Sequence, residues 1–300
     1  LTSNLQFLLS SPALHIASRS WTLPESYDFC HRLAAAHYEN FPVASRFIPK
    51  DRRKHVAAIY AFARTADDFA DEPGFTPAER IDNLMNWQQQ LTDCYEGRAH
   101  HPVFIALAET ADRFQIPAEL FLRLLTAFRA DVTVNRYETF EDLLAYCENS
   151  ANPIGRLVLL LFNYRSDSLL MQSDAICTAL QLTNFWQDIG VDLQKGRIYI
   201  PQEDLGRFGY TETDLRGRLC TRAFQDLLAS EVTRTESLFA EGRALLHAVG
   251  SDLRFELTLT WNGGMRILQK IRRSNFDVFE HRPTLSLIDK ASIVLRSLHR

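Results

Sequence analysis

An all-α chain is what this sequence predicts: a single helical bundle around a central cavity. Three observations carry that prediction. Glycine is scarce, 12 of 300 residues, whereas strand-and-turn architectures consume glycine in tight turns. No segment alternates apolar and polar residues long enough to make a convincing strand. Helix-start signals recur along the chain, the fullest being Thr76-Pro77-Ala78-Glu79, with threonine as N-cap, proline at N1 and glutamate at N3 reaching back.

The elements follow in order. Residues 1–20 read as a poorly specified leader and residues 21–300 as one domain. A helix begins near Asp51 and carries an acidic cluster late in its length. The Thr76 start is followed by Ile81, Leu84, Gln88 and Leu91 at helical spacing until Gly97. Pro117 and Glu119 open a segment with Leu120, Leu124, Leu125 and Phe128 on one side. Thr139-Phe140-Glu141-Asp142 and Thr211-Glu212-Thr213-Asp214 repeat the start with a shorter acid. Pro153 and Gly155 interrupt an apolar helix, which predicts a kink. Lys195-Gly196 reads as a helix stop, and residues 197–201 as an extended loop. Residues 221–248 give one long helical pattern closed by Gly250, and residues 252–282 another ended by Pro283. A short helix over 285–298 completes the chain. Trp261-Asn262-Gly263-Gly264 lies inside a helical pattern, where each glycine costs about 1 kcal/mol. Room for a bound chain or a close helix approach would offset that.

Composition narrows the function classes. Apolar residues make up 46% and charged residues 23% of the chain, which suits a globular protein and excludes a disordered one. The net charge of −4 provides no basic field for nucleic acid. Five well-separated cysteines, Cys30, Cys94, Cys147, Cys177 and Cys220, form no Cys-x-x-Cys pair, so reduced thiols in a cytoplasmic protein are expected rather than a disulfide framework. No apolar run approaches the roughly 20 residues of a bilayer span; peripheral membrane contact stays open. The nine histidines form no metal-binding pattern, and His100-His101 reads as a solvated loop pair.

Two acidic rows stand out. At about 100° per residue, Tyr60, Arg64, Asp67 and Asp71 fall on one side of a helix with Asp68 beside them, opposite Ile59, Phe62, Ala66 and Phe69. Further on, Asn184, Asp188 and Asp192 follow one another at i, i+4 and i+8, one turn after Gln181, and share a face. Their neighbours Leu180, Leu182, Phe185, Trp186, Ile189 and Val191 make this helix apolar almost all round, which predicts burial. Carboxylates there call for a cation. Mg²⁺ binds through one or two carboxylates plus substrate phosphate oxygens. Two such rows across a groove suit a cluster of Mg²⁺ ions on one diphosphate, whose carbon–oxygen bond could then ionise. Arg64 and Arg197 are placed to add charge-assisted hydrogen bonds to that diphosphate, and aromatic side chains to line a dry pocket for the cation left behind.

At these residues the chain resembles the squalene/phytoene synthase family. The matching stretches are Ala58-Ile59-Tyr60-Ala61-Phe62-Ala63-Arg64 leading into Asp67-Asp68-Phe69-Ala70-Asp71, and Leu182 through Asp192 continuing into Gly196-Arg197-Ile198-Tyr199-Ile200-Pro201. The resemblance covers about residues 25–285. It implies an isoprenoid-synthase fold, a prenyl diphosphate substrate and Mg²⁺, with Asp67, Asp68, Asp71, Asn184, Asp188 and Asp192 as metal ligands. It implies Tyr60, Arg64 and Arg197 as diphosphate contacts, and Tyr146, in a matching Tyr-Cys pair, at the reaction centre.

Two stretches depart from the family pattern. Tyr38-Glu39-Asn40-Phe41-Pro42-Val43 replaces the usual Ser-x-Ser-Phe, and Ser150-Ala151-Asn152-Pro153-Ile154-Gly155 replaces Val-Ala-Gly-x-x-Gly. Both are similar to the bacterial hopanoid-pathway branch that takes presqualene diphosphate and quenches its cation with water, giving hydroxysqualene. That resemblance implies no need for a nicotinamide, and partnership with a presqualene diphosphate-forming synthase and a downstream reductase. The polar Asn152-Pro153 pair, with backbone carbonyls freed at Pro153, predicts an ordered water near Tyr146 and Asn152. The alternatives are a full squalene or phytoene synthase joining two prenyl diphosphates, a terpene cyclase or chain elongator, whose second metal motifs Asn184-Asp188-Asp192 fits poorly, and a non-enzymatic helical scaffold.

Overall fold

The computed structural model describes residues 20–36, 48–71 and 73–298. Most of the leader and the Tyr38 to Val43 departure lie outside the described residues. Within them the chain is helical and contains no strand. Its described residues form two compact units, one of residues 20–36, 49–71 and 73–118, the other of residues 48 and 119–298. No Ser/Gly-rich linker marks the boundary, which falls at the first residue of a helix.

The first unit holds α1 (Leu23–Ala36), α2 (Lys50–Asp71), α3 (Pro77–Tyr95) and α4 (Pro102–Phe114). The capping box expected at Thr76 is present: its side chain accepts from the Glu79 N–H while Glu79 returns the bond to the Thr76 backbone. α2 turns Ala58, Ala61, Phe62 and Ala66 inward, all fully buried. Trp87 packs there between Phe62 and Phe104, with ring centroids 6.1 and 4.5 Å away, and its indole N–H donates to the Phe62 carbonyl at 3.3 Å. His101 corrects the solvated-loop expectation. It is the N-cap of α4, accepting from the Val103 N–H at 3.2 Å, and it is buried against Trp87. Burial lowers its imidazole to about 4, so the ring is neutral and free to accept that bond.

The second unit contains α5 (Ala118–Thr133), α6 (Phe140–Ser150), α7 (Asn152–Leu161), α8 (Asp167–Asp192), α9 (Gln202–Arg207), α10 (Glu212–Arg216), α11 (Arg222–Gly242), α12 (Leu245–Ala248), α13 (Ser251–Arg273) and α14 (Leu287–Leu298). α8 is the central element, about 39 Å long at 1.5 Å per residue, and α6, α7, α11, α12 and α13 pack on it. Its Trp186 is fully buried and donates to Thr235 Oγ1 on α11 at 2.8 Å. The capping boxes at Thr139 and Thr211 form as expected, and Gly196 closes the turn after α8 with φ 77°.

Three sequence expectations need correction. The kink at Pro153 is a full break: α6 ends at Ser150 and α7 restarts at Asn152 with Pro153 in its first turn, where a missing N–H costs nothing. The 221–248 pattern breaks after Gly242 into α11 and α12. The 252–282 helix stops at Arg273, because Asn275 and Phe276 adopt φ of 53° and 62° and the Phe276 N–H returns to the Ile271 carbonyl. This is a left-handed helix stop, to which asparagine is well suited. Gly264 resolves the choice left open for the glycine pair in favour of close approach. A β-carbon there would lie 2.5 Å from Phe239 Cζ and 2.9 Å from Leu180 Cδ2. No helix among the described residues is long and apolar enough to cross a membrane.

Candidate active site

In the first unit the acidic row closes α2. Arg64 Nη1 donates to Asp67 Oδ2 at 3.2 Å, and Arg64 Nη2 lies 2.5 Å from Asp68 Oδ1. Asp67 and Asp71 reach solvent more than Asp68 does. Tyr60, one turn before Arg64, is half-buried, and burial raises its phenol. Three carboxylates in the last turns of a helix sit at the negative end of its dipole, and no basic residue occupies that last turn. Arg64 supplies part of the missing charge from the turn before, and Arg80 Nη1 donates to the Ala70 carbonyl at 2.9 Å.

The second row repeats this arrangement at the end of α8. Asp188 and Asp192 are half-buried and Asn184 is exposed. The expectation of a row enclosed by apolar surface is therefore corrected: α8 buries Leu182, Phe185, Trp186 and Ile189 and leaves the Asn184 face accessible. The cation that row calls for comes in part from a residue the sequence reading missed. Arg282 holds Asp188 through both arms of its guanidinium, with Nη2 at 3.0 Å from Oδ2 and Nε bonded to Oδ1. Asp188 and Asp192 raise the Arg282 guanidinium further. Gln187 Nε2 donates to the Pro283 carbonyl at 2.5 Å and pins the segment that carries Arg282.

Beside this row lies an aromatic cluster. The segment after α8 runs alongside residues 135–138, with the Ile198 N–H bonded to the Asn135 carbonyl at 3.0 Å and the Gln202 N–H to the Tyr137 carbonyl at 2.9 Å. This pairing is the extended loop the sequence predicts. It stacks Tyr199 on Phe185 at 3.7 Å between ring centroids and sets it 5.9 Å from Tyr137 and 6.2 Å from Tyr146. Tyr146 donates to Asp131 Oδ1 at 2.8 Å, and Arg197 Nη2 donates to the Asp131 carbonyl at 3.2 Å. Burial first, and then the neighbouring Asp131 charge, raise the Tyr146 phenol well above its ordinary value, so it stays a neutral donor. Asp131, Tyr137 and Tyr199 were not singled out from sequence; the Tyr199 in Gly-Arg-Ile-Tyr-Ile-Pro was the available signal.

Asn152 is buried, and its Oδ1 accepts from Thr178 Oγ1 at 2.9 Å. That bond ties α7 to α8. Among the described residues no three His, Cys, Asp or Glu side chains converge into a closed metal cage. The donor set nevertheless fits Mg²⁺, a hard ion that uses few protein carboxylates and completes its shell with water and phosphate oxygens. Each row also ends a helix at its negative pole, where a cation is favoured.

The family model described as squalene/phytoene synthase matches residues 34–289. A phytoene synthase from Arthrospira platensis is 29% identical over 277 residues, 87% of this chain and 88% of that protein. A 15-cis-phytoene synthase from Synechococcus elongatus is 27% identical, covering 93% of this chain and 92% of that protein. Among solved structures, the squalene synthase HpnC from Alicyclobacillus acidocaldarius aligns with a TM-score of 0.82 and 42% identity over 85% of this chain and 96% of that one. A dehydrosqualene synthase solved with a ligand aligns with a TM-score of 0.83 and 27% identity over 92% and 96%. The helical fold is that of these synthases, and the chain belongs to the squalene/phytoene synthase family.

Proposed function

We propose that this chain ionises presqualene diphosphate and closes the resulting cation with water, giving hydroxysqualene and diphosphate. The observation that carries this reading is the Tyr146–Asp131 hydrogen bond among the rings of Tyr137, Phe185 and Tyr199. Aromatic faces stabilise a cation that has no counter-ion beside it. The phenol hydrogen is committed to Asp131, so the Tyr146 oxygen keeps its lone pairs to accept a hydrogen bond from a water. That water attacks carbon through its oxygen, and its spare proton leaves with the diphosphate. Water in place of hydride removes any need for a nicotinamide.

Mg²⁺, when bound, would neutralise the diphosphate so that it can leave. Asp67, Asp68, Asp71, Asn184, Asp188 and Asp192 are the residues to hold it, and Tyr60, Arg64 and Arg197 those to bind the diphosphate. Asn152, at the break before α7, is assigned to placing the water. A prenyl-condensing synthase must supply the substrate and a reductase consume the alcohol, in the cytoplasm. The replacement at residues 150–155 supports this branch, whereas the 42% identity to a protein named squalene synthase supports the family chemistry common to both readings.

Relatives named as phytoene synthases at 27–29% identity favour a second reading, condensation of two prenyl diphosphates by this chain alone. One experiment separates the two. The protein is incubated with presqualene diphosphate and Mg²⁺ without nicotinamide, and in parallel with farnesyl or geranylgeranyl diphosphate. Hydroxysqualene from the first incubation alone supports the proposal; efficient turnover of the shorter diphosphates replaces it with the second reading.

A further inference from the structure

α14 carries two faces. One face, Asp289, Ile293 and Ser297, is buried and fastens the helix to α13. Asp289 lies 2.7 Å from Arg266 and 2.5 Å from Lys270, and Asn262 Nδ2 donates to Ser297 Oγ at 3.1 Å. The other face should be polar if it met only water. Instead it presents Leu287, Ile288 and Leu295, which are 84%, 81% and 60% exposed, with exposed Ala291 between them. At 100° per residue these four span about a quarter of the helix circumference. Lys290 lies about 60° beyond one edge of the stripe and Arg296 about 80° beyond the other, and both are exposed. The helix's acid, Asp289, is turned inward and neutralised by its two cations.

We infer that α14 lies flat on an anionic lipid surface, with Leu287, Ile288, Ala291 and Leu295 in the acyl boundary and Lys290 and Arg296 reaching the headgroups. An apolar stripe flanked on both sides by cations is the pattern of an interfacial helix, whose long basic side chains snorkel to the phosphates. Size argues against a second copy of the chain as the occupant. A stable protein interface needs about 800 Å² from each partner, more than a four-residue stripe on an 18 Å helix offers. A lipid surface needs no matching partner shape. The inference is independent of the proposed reaction, since α14 carries none of its residues.

The test is co-sedimentation of the whole protein with phosphatidylcholine vesicles, with and without 30% phosphatidylglycerol. The inference expects binding to the anionic vesicles that weakens with salt. Leu287→Ser, Ile288→Ser and Leu295→Ser together should lower the affinity at least about tenfold. Lys290→Gln and Arg296→Gln should each lower it about fivefold on anionic vesicles only. Circular dichroism checks that the variants fold, and an Ile288→Trp probe quenched by brominated lipid gives a second readout. No binding by the folded wild type, binding unchanged in the triple variant, or an unquenched probe would each overturn the inference. So would a dimer that becomes a monomer in the triple variant, because the stripe would then belong to a second copy.

Discussion

Tyr146 gives its phenolic hydrogen to Asp131 Oδ1 across 2.8 Å, and the same Asp131 offers its carbonyl to Arg197 at 3.2 Å. One residue of α5 therefore orients the tyrosine expected at the reaction centre and the arginine expected on the diphosphate. Two side chains more than fifty positions apart in the chain are aligned by a third that neither motif contains.

Tyr146→Phe isolates the hydrogen bond from the ring. The phenylalanine keeps the aromatic packing against Tyr137 and Phe185 but leaves Asp131 without that partner. Such a loss costs about 1–3 kcal/mol for a buried acceptor and less where water can replace it. Product formation should fall at least about tenfold, with little change in the circular dichroism spectrum. Asp131→Asn retains an acceptor oxygen and should be milder in both respects. Equal activity of Tyr146→Phe and wild type would remove Tyr146 from the chemistry.

On the proposed reaction, in which both acidic rows act on one diphosphate, their substitutions should not be independent. Asp67→Ala and Asp188→Ala each remove a carboxylate expected to hold Mg²⁺ and should each lower turnover at least about a hundredfold, with a raised Mg²⁺ requirement. The double variant should lose far less than the product of the two, since groups acting on one diphosphate are not additive. Pyrophosphate binding by calorimetry, with and without Mg²⁺, reads the same effect without turnover. Strict additivity in both measurements would separate the rows into independent functions.

Glu231 on α11 makes stability depend on pH. Its side chain is fully buried, 3.3 Å from Arg234, which also bonds Asp204 at 2.8 Å and lies over the Phe140 ring. Burial pushes its carboxyl up to about 8, against the pull of Arg234 and with help from Asp204. The folded chain therefore keeps a proton that the unfolded chain releases near 4.5. Stability falls as pH rises from about 5 to 8, by up to about 1.4 kcal/mol per unit from this group alone. Urea melts across that range should show the slope, and Glu231→Gln should flatten it and be the more stable protein at pH 8. A wild-type slope that persists in Glu231→Gln would assign the effect to other groups.

Much of this fold is legible because helix punctuation is local. Thr76, Thr139 and Thr211 cap their helices as their spacing requires, and each acidic row shares a face because i, i+4 periodicity alone decides it. What escaped depends on contacts distant in sequence. Arg282 reaches Asp188 across 94 positions, from a segment that continued apolar periodicity made look helical. The break at Asn275 was written in an asparagine that tolerates positive φ, but the longer pattern outweighed it. The exposure of Asn184 was hidden for a similar reason. Apolar neighbours on α8 fix how much of the helix is buried, not which side stays open.

The neighbouring glycines 263 and 264 separate helix propensity from packing. Gly264→Ala would drive a methyl group into Phe239 and Leu180 and should destabilise by about 1–3 kcal/mol. At Gly263 the nearest atom to such a methyl is Leu285 Cδ1 at 3.8 Å, an ordinary contact. Gly263→Ala should therefore stabilise by up to about 1 kcal/mol through helix propensity. Thermal melts of the two single variants should move in opposite directions.

Two variants separate a packing role of Asn152 from a role in placing a water. Its Oδ1 accepts from Thr178, so Asn152→Ala and Thr178→Val break the same buried hydrogen bond from opposite ends, and each should lower stability by about 1–2 kcal/mol. If packing were the whole role, the two variants would also share one product mixture. If the Asn152 amide helps to seat the attacking water beside Tyr146, the two should part. Asn152→Ala should divert the cation towards elimination products or other alcohols, and Thr178→Val should still yield hydroxysqualene. Reactions run in ¹⁸O-labelled water read the step directly, because the label must appear in the alcohol oxygen if water closes the cation. The expected result is labelled hydroxysqualene from wild type and Thr178→Val, with that product depleted only in Asn152→Ala. Identical mixtures from both variants would confine Asn152 to its bond with Thr178, and an unlabelled alcohol would refute water capture itself.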